Sequence, residues 1–309
     1  MKAMQVNSSQ YGAKLVPAEM TKPEPREGEV LIRVHAAGVT PTELLWSTTT
    51  HTKDGAARTN AVPGHEFSGV IAALGKHVNG LNVGDEIYGM NDWFADGATA
   101  EFCITLPQNI APKPAILNHE AAAAVPIGAL TALQGLMERA RVRSSERVLV
   151  QGGAGAVGLY AVQLAHLRGA YVIATASLQN LDFVKQLGAN EVIDYTSSRF
   201  EEKVRDVDVV FDTVGGATRD RSWGVLKAEG RMVTIAADSE GSDDQRLKDA
   251  FFIVRPNQQQ LIEIGQQLDT GALKAFAKAV VPLNEASDAY SGNLKRKSGY
   301  GKVVICMSA

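Results

Sequence analysis

Cysteine is scarce in this sequence, with Cys103 and Cys306 the only two. Two thiols cannot build a disulfide framework or a four-thiolate zinc site, so a reduced, cytoplasmic setting is the expectation. Long apolar runs are missing as well. The Ala-rich stretch 121–132 is broken by Pro126 and Gly128, and it falls short of the roughly 20 apolar residues that span a membrane. Met1 to Val6 lack an apolar signal core and read as an entering strand. No dense Lys/Arg block occurs, and the formal charge is −3. Neither nucleic acid nor an acidic membrane is therefore an expected partner.

What is present describes a globular chain. Of its 309 residues, 45% are hydrophobic and 21% charged, enough for one large domain or two ordinary ones. The first third reads as short strands at residues 30–34, 69–75, 83–89 and 100–105, punctuated by glycine. That pattern suggests a compact all-β or barrel-like unit. The texture changes near Pro112-Lys113-Pro114. Asn118 is placed to cap a helix over residues 119–125, and residues 128–139 read as a second helix. From there strands at 147–151, 171–176, 191–194, 207–213 and 231–236 alternate with helical segments. Near-continuous apolar runs such as Val148-Leu149-Val150 fit strands buried on both faces. The predicted class is α/β, with a parallel, doubly wound sheet. A last helix is expected over 258–269, and the terminal strand 301–306 is expected to return to the first unit.

The strand Val148-Leu149-Val150-Gln151 runs directly into Gly152-Gly153-Ala154-Gly155-Ala156-Val157-Gly158. Gly153, Gly155 and Gly158 have G-x-G-x-x-G spacing, and a helical pattern follows. One glycine makes the tight turn, the next lets backbone approach a pyrophosphate, and the third packs helix on strand. The helix N-terminus then meets the phosphate charge. Because the motif opens an alternating strand–helix series, it is read as a dinucleotide loop; the alternative is a structural turn.

Which dinucleotide is read from the end of the second strand. Selection of NAD commonly places an Asp or Glu there, on the ribose 2′-hydroxyl. Here Ala174-Thr175-Ala176 is followed by Ser177, Leu178, Gln179 and Asn180, and the first carboxylate, Asp182, belongs to the next helix. Ser177 and Asn180 can instead donate to a 2′-phosphate, so NADP(H) is the expected cofactor. Tyr195, at the end of the third strand, either flanks the adenine or is a surface tyrosine.

In order along the chain, the segments Ala36 to Glu43, Pro63 to Val70, Val83 to Gly89 and Asp96 to Phe102 form a connected set. Ala121 to Pro126 with Leu130-Thr131-Ala132, the glycine loop, and Leu187 to Tyr195 extend it. With these segments the sequence resembles the medium-chain dehydrogenase/reductase superfamily, in its zinc-free quinone oxidoreductase branch. The resemblance implies a GroES-like, mainly-β substrate domain over 1–118, completed by 284–309. It implies a Rossmann NADP(H)-binding domain over 119–283, with the cofactor in the cleft between them and a homodimer or homotetramer as the assembly.

The resemblance also raises the question of zinc. Related zinc alcohol dehydrogenases carry a catalytic cysteine where this chain has Thr40. Catalytic zinc wants three protein ligands; Thr40 is a poor one, and the four-cysteine structural lobe is absent. His65 reads as a hydrogen-bonded loop residue, and His35, His51, His77, His119 and His166 show no paired spacing. No metal is expected.

Without metal, a site must bring nicotinamide C4 close to an electrophilic carbon and keep water out. Conjugated acceptors suit such a site, because their charge spreads to a distant oxygen. The family commonly has Asn and Asp where this chain has Thr40 and Glu43. The resemblance implies that Thr40 donates to the nicotinamide ribose or the substrate carbonyl. Glu43 is either part of the catalytic set or a solvated charge on a short helix. Thr131 matches a family threonine that approaches the nicotinamide, against helix packing as the alternative. Trp46, Trp93 and Phe94 are candidates for the substrate-pocket wall, or ordinary aromatics. Val214, Ile235, Ala236, Phe252 and Val254 complete the cofactor-binding candidates, beside Gly153, Ala154, Gly155, Ala156, Val157, Gly158, Ser177, Asn180 and Tyr195. No residue is a convincing general acid, so solvent is the expected proton source. The expected function is NADPH-dependent, zinc-independent reduction of quinones or α,β-unsaturated carbonyls. Reduction of enoyl-thioesters and a non-catalytic NADP(H)-binding regulatory role are the alternatives.

Overall fold

The computed structural model describes residues 1–9, 12–294 and 299–307. The chain divides into two units: residues 1–127 with 256–309, and residues 128–255. Strands are numbered in chain order through both.

The first unit holds β1 (Lys2–Ser9), β2 (Gly12–Glu19), β3 (Val30–Gly38), β4 (Glu66–Leu74), β5 (Glu86–Met90), β6 (Phe102–Thr105) and β7 (Ile110–Pro112). The second holds β8 (Arg147–Gln151), β9 (Tyr171–Ala176), β10 (Glu191–Asp194), β11 (Val207–Asp212) and β12 (Leu226–Thr234). From the chain's end β13 (Ala277–Pro282) and β14 (Lys302–Cys306) rejoin the first unit.

In the first unit β1 and β2 pair as an antiparallel hairpin, and the remaining strands form one sheet in the order β13-β14-β3-β4-β5-β7, with β6 also on β3. β3 is the hub. It is paired along both edges, and its residues are buried almost without alternation, as in a strand covered on both faces. Val30, Ile32, Val34, Phe67, Ile71, Ile87, Cys103 and Ile110 fill the core around it. Burial pushes the Cys103 thiol up, so this cysteine is an inert core residue. As expected, the last strand returns here, antiparallel to β3.

The second unit is a parallel sheet in the order β10-β9-β8-β11-β12. The order reverses at β8, so the C-terminal end of β8 is the switch point where ligands of such sheets bind. Val148, Leu149 and Val150 are wholly buried, as their apolar run requires. β12 begins at Leu226, ahead of the expected 231, because a register shift against β11 admits an extra polar segment before Arg231.

The expected domain boundaries, 118/119 and 283/284, both fall within the first unit. The helix His119–Ala123 packs on β3 and β4, and the helix Gln258–Asp269 packs on β7. Tyr88 Oη, on β5, donates to Leu261 O at 2.5 Å. Asn118 caps the first of these helices as expected, accepting from Ala121 N at 2.9 Å. The helix foreseen over 128–139 is an α-helix, Pro126–Leu133, continued by π-helix, Gln134–Arg139. Among the described residues no helix is long and apolar enough to cross a membrane.

Candidate functional site

The glycine loop joins β8 to the helix Gly158–Leu167. Gly152 has φ +79°, a conformation that costs a side chain strain. A Cβ on Gly158 would lie 2.1 Å from Gly152 O, so only glycine lets this helix start so close to the strand end. At Gly155 the nearest atom would be 3.2 Å away, the most open of the three motif glycines. That is the position where backbone can approach a phosphate. Gly152 N donates to Thr175 Oγ1 at 3.0 Å and Gly153 N to Thr175 O at 2.8 Å, which ties the loop to β9. In the following helix Leu159 N and Ala161 N already donate to Gly155 O and Val157 O at 3.0 Å, so among the described residues the N–H groups of Ala156, Val157 and Gly158, just ahead of them, are the natural ligands of an anion.

The other nucleotide candidates lie at the same end of the sheet. Ser177 follows β9, and Asn180 Nδ2 donates to its Oγ at 3.0 Å; both are half-buried. Tyr195 follows β10 with 60% of its surface exposed, free of the core. Val214 follows β11 and is 53% exposed. Its turn is held by the buried Asp212, which accepts from Val214 N at 3.1 Å and from Thr234 Oγ1 at 2.7 Å. Ile235 and Ala236 follow β12, and Phe252 runs beside them, its N–H donating to Thr234 O at 3.3 Å. Val254 is buried next to Arg255, whose backbone is gripped from both sides by the Gln134 amide at 2.8 and 3.1 Å. Thr131 is buried in the helix Pro126–Leu133. That helix touches the glycine loop: a Cβ on Gly128 would lie 2.5 Å from Ala156 O.

In the first unit, register assembles a polar cluster at the end of β3. β3 pairs Gly38 with Val304 of β14, and pairs Ala37 with Phe67 of β4. Continued by two residues and by one, these registers set Thr40 opposite Lys302 and Gly38 opposite Glu66. The side chains meet accordingly. Lys302 Nζ is ion-paired with Glu66 Oε1 and donates to Thr40 Oγ1 at 3.2 Å, while Glu66 Oε2 accepts from Ile127 N at 2.9 Å. A Cβ on Gly38 would lie 2.5 Å from Glu66 Oε1, so glycine makes the space in which this carboxylate lies. Burial holds the Glu66 carboxyl above the usual range, against the pull of Lys302 and of the Ile127 amide.

Glu43 is not a solvated charge. It is wholly buried, on a short 3-10 turn, Pro41–Leu45. Its Oε1 accepts from Gly64 N at 2.8 Å and pairs with His65 Nδ1, while His65 Nε2 faces Ala95 O at 3.0 Å. Burial pulls the imidazolium down, but the Glu43 carboxylate and the Ala95 carbonyl outweigh it, and His65 lies above its ordinary value. Beside this pair stand the aromatics. The Trp46 and Trp93 rings meet edge to face at 5.0 Å, and Trp93 lies 5.2 Å from the His65 ring. Phe94 is half-buried, with Lys53 Nζ 5.4 Å above its ring.

Two family models match the chain: an alcohol dehydrogenase GroES-like domain over residues 26–115 and a zinc-binding dehydrogenase over residues 187–305. The chain is 34% identical to the 2-methylene-furan-3-one reductase of Solanum lycopersicum, over 92% of its length and 73% of the relative's. It is 31% identical to the chloroplastic NADPH-dependent alkenal/one oxidoreductase of Arabidopsis thaliana, with the same coverage of 92% and 73%. The solved quinone oxidoreductase from Coxiella burnetii superposes with a TM-score of 0.87 at 30% identity, covering 100% of this chain and 99% of that one. The chain belongs to the medium-chain dehydrogenase/reductase superfamily. It stands among the quinone oxidoreductase-like members and is an oxidoreductase.

Zinc is a cofactor of many medium-chain dehydrogenases, and the residues here do not fit it. Both ring nitrogens of His65 are committed, to Glu43 and to Ala95. Thr40 Oγ1 already faces an ammonium cation. Among the described residues no group of three His, Cys, Asp or Glu side chains is placed to hold a metal ion. A dinucleotide does fit, since the loop, the open Gly155 and the carboxylate-free end of β9 suit a phosphorylated ligand.

Several residues of these clusters went unread in the sequence. Lys302 carries a signal in retrospect: it is a lone charge opening the apolar strand Val303-Val304-Ile305. Gln134 and Asp212, whose side chains bond to the backbone of Arg255 and of Val214 and Gly215, carry none.

Proposed function

We propose that this protein reduces quinones or α,β-unsaturated carbonyl compounds with NADPH and without zinc. The observation that carries the reading is the glycine loop whose neighbouring strand, β9, is followed by Ser177 and Asn180 where a carboxylate would select NAD. Relatives named for furanone, alkenal/one and quinone substrates support the acceptor class.

When bound, NADPH supplies the hydride, from nicotinamide C4 to the electrophilic carbon of the acceptor. The chain supplies position and polarity. Ala154 to Gly158 would hold the pyrophosphate, Ser177 and Asn180 the 2′-phosphate, and Tyr195 the adenine. Val214, Ile235, Ala236, Phe252, Val254 and Thr131 bound the nicotinamide end. Thr40 donates a hydrogen bond to the acceptor oxygen, which gains negative charge as the hydride arrives. Trp46, Trp93 and Phe94 wall the acceptor and exclude water, and Glu43 secures the Gly64–His65 loop beside them. The final proton comes from solvent. On this reading the first unit takes the acceptor and the second the cofactor. A cytoplasmic homodimer or homotetramer completes it, resting on the family resemblance.

Anaerobic mixing with NADPH and a panel of quinones, 2-alkenals and a short enoyl-thioester, followed at the nicotinamide absorbance, tests the reading. Oxidation by quinones or alkenals is expected. Turnover of the thioester alone, or binding of NADPH with no turnover, would replace it. A preference for NADH would overturn the assignment of Ser177.

A further inference from the structure

Thr40 is a weak acid and a weak donor, yet it is the only hydroxyl assigned to the acceptor oxygen. The structure gives it a neighbour that changes its character. Lys302 is 6% exposed and Glu66 is wholly enclosed, so their ion pair is shielded from solvent. The ammonium meets the Glu66 carboxylate and the Thr40 hydroxyl oxygen. An ammonium only donates, so Thr40 Oγ1 must accept. Its own hydrogen is then turned away from Lys302. No described residue accepts from it.

We propose that Lys302, anchored by Glu66, is a positioning residue that orients and polarises the Thr40 hydroxyl for donation to the acceptor oxygen. The inference rests on the reductase reading above and adds to it the means by which a metal-free site polarises a carbonyl. A cation behind the hydroxyl strengthens the bond it donates, and more so where water is excluded. The enclosure explains why lysine is tolerated: Glu66 balances its charge, and Ile127 N–H binds the second carboxylate oxygen. Gly38 completes the device, because any side chain there would displace Glu66.

The two acceptor classes differ in how much they need this. Reduction of a 2-alkenal leaves charge on an enolate oxygen, which a donor must stabilise. Reduction of a quinone is driven by formation of an aromatic ring and leans less on the donor. A general loss of structure would slow both equally.

The test uses the full chain with K302M, K302R, T40V and the K302M/T40V double variant. K302M is expected to lower kcat on a 2-alkenal by about 100-fold, the scale of losing one oxyanion donor. The loss on a quinone should stay under about 10-fold, and NADPH affinity by calorimetry should be unchanged. K302R should recover most of the alkenal rate. The double variant should be no slower than T40V alone, because both substitutions remove one shared interaction. Equal losses on both acceptors, or losses that multiply in the double variant, would overturn the proposal.

A second readout needs no turnover and no K302M. The ¹³Cε resonance of Lys302, assigned in wild type, should move on T40V while other lysines hold still. If it stays put, Lys302 does not contact Thr40 and the proposal falls. Should wild type bind NADPH but reduce no acceptor, the reductase reading fails, and this resonance alone decides whether Lys302 holds Thr40.

Discussion

His65 and Glu43 form a buried pair in which both ring nitrogens of the histidine meet acceptors, a carboxylate at Nδ1 and the Ala95 carbonyl at Nε2. Two acceptors around the ring favour its doubly protonated form. Its value lies above that of a free histidine, since Glu43 and Ala95 outweigh the cost of burial. A raised histidine contributes its full stability below the unfolded value and loses it as pH rises through the folded one. The Tm advantage of wild type over E43Q is therefore full near about pH 6 and shrinks toward alkaline pH. Thermal scans across that range check it; an advantage that grows with pH would contradict the pairing.

Gly155 and Gly158 separate binding from folding. A Cβ at 155 meets one atom at 3.2 Å, whereas at 158 it meets Gly152 O at 2.1 Å. G155A should weaken NADPH binding by about 10-fold or more, through lost approach to the pyrophosphate, with Tm within about 2 °C of wild type. G158A should lower both. Calorimetry with NADPH beside thermal scans distinguishes them, and equal Tm losses would be against this assignment of roles.

Ser177 is half-buried beside Asn180. S177D places a carboxylate where the 2′-phosphate is expected. NADPH affinity should drop by about 10- to 100-fold and NADH should gain relative to it. An unchanged preference in paired kcat/KM measurements would remove Ser177 from the cofactor site.

The edge-to-face Trp46–Trp93 contact predicts an apolar wall. W46A should raise KM for apolar 2-alkenals by about 10-fold while leaving KM for NADPH unchanged. W93A, at a buried position, should also lower Tm by several degrees, roughly 2–4 kcal/mol of packing. If neither variant alters the acceptor KM, the wall lies elsewhere.

Overnight dialysis against a strong chelator should leave both Tm and turnover intact, since no donor set for zinc is present among the described residues. Loss of activity restored by zinc would reverse that conclusion.

Much of the second unit was legible as sequence. β8, β9 and β10 have the bounds that their apolar runs indicate, and in the first unit Asn118 caps the helix it precedes. Such features are local: a buried parallel strand must be apolar throughout, and a cap needs only its own helix. The strand ends that carry the candidate cofactor residues were legible for the same reason, because a strand end and the turn after it are adjacent in the chain. The register shift within β12 and the π-helical turn at Gln134 were not legible, because each is settled by neighbours distant in sequence.

Glu43 shows the limit most plainly. On a short turn near glycine and proline it reads equally as a solvated charge, and only the approach of Gly64, His65 and Ala95 makes it a buried partner. By itself the sequence determined the superfamily, the parallel sheet and the glycine-rich turn after β8, since all three are written in contiguous residue patterns. Only tertiary structure decided that Thr40, Glu66 and Lys302 share one enclosed cluster. The physical reason is strand register: pairing on β3 joins residues more than two hundred positions apart, and burial then makes their charges answer to one another.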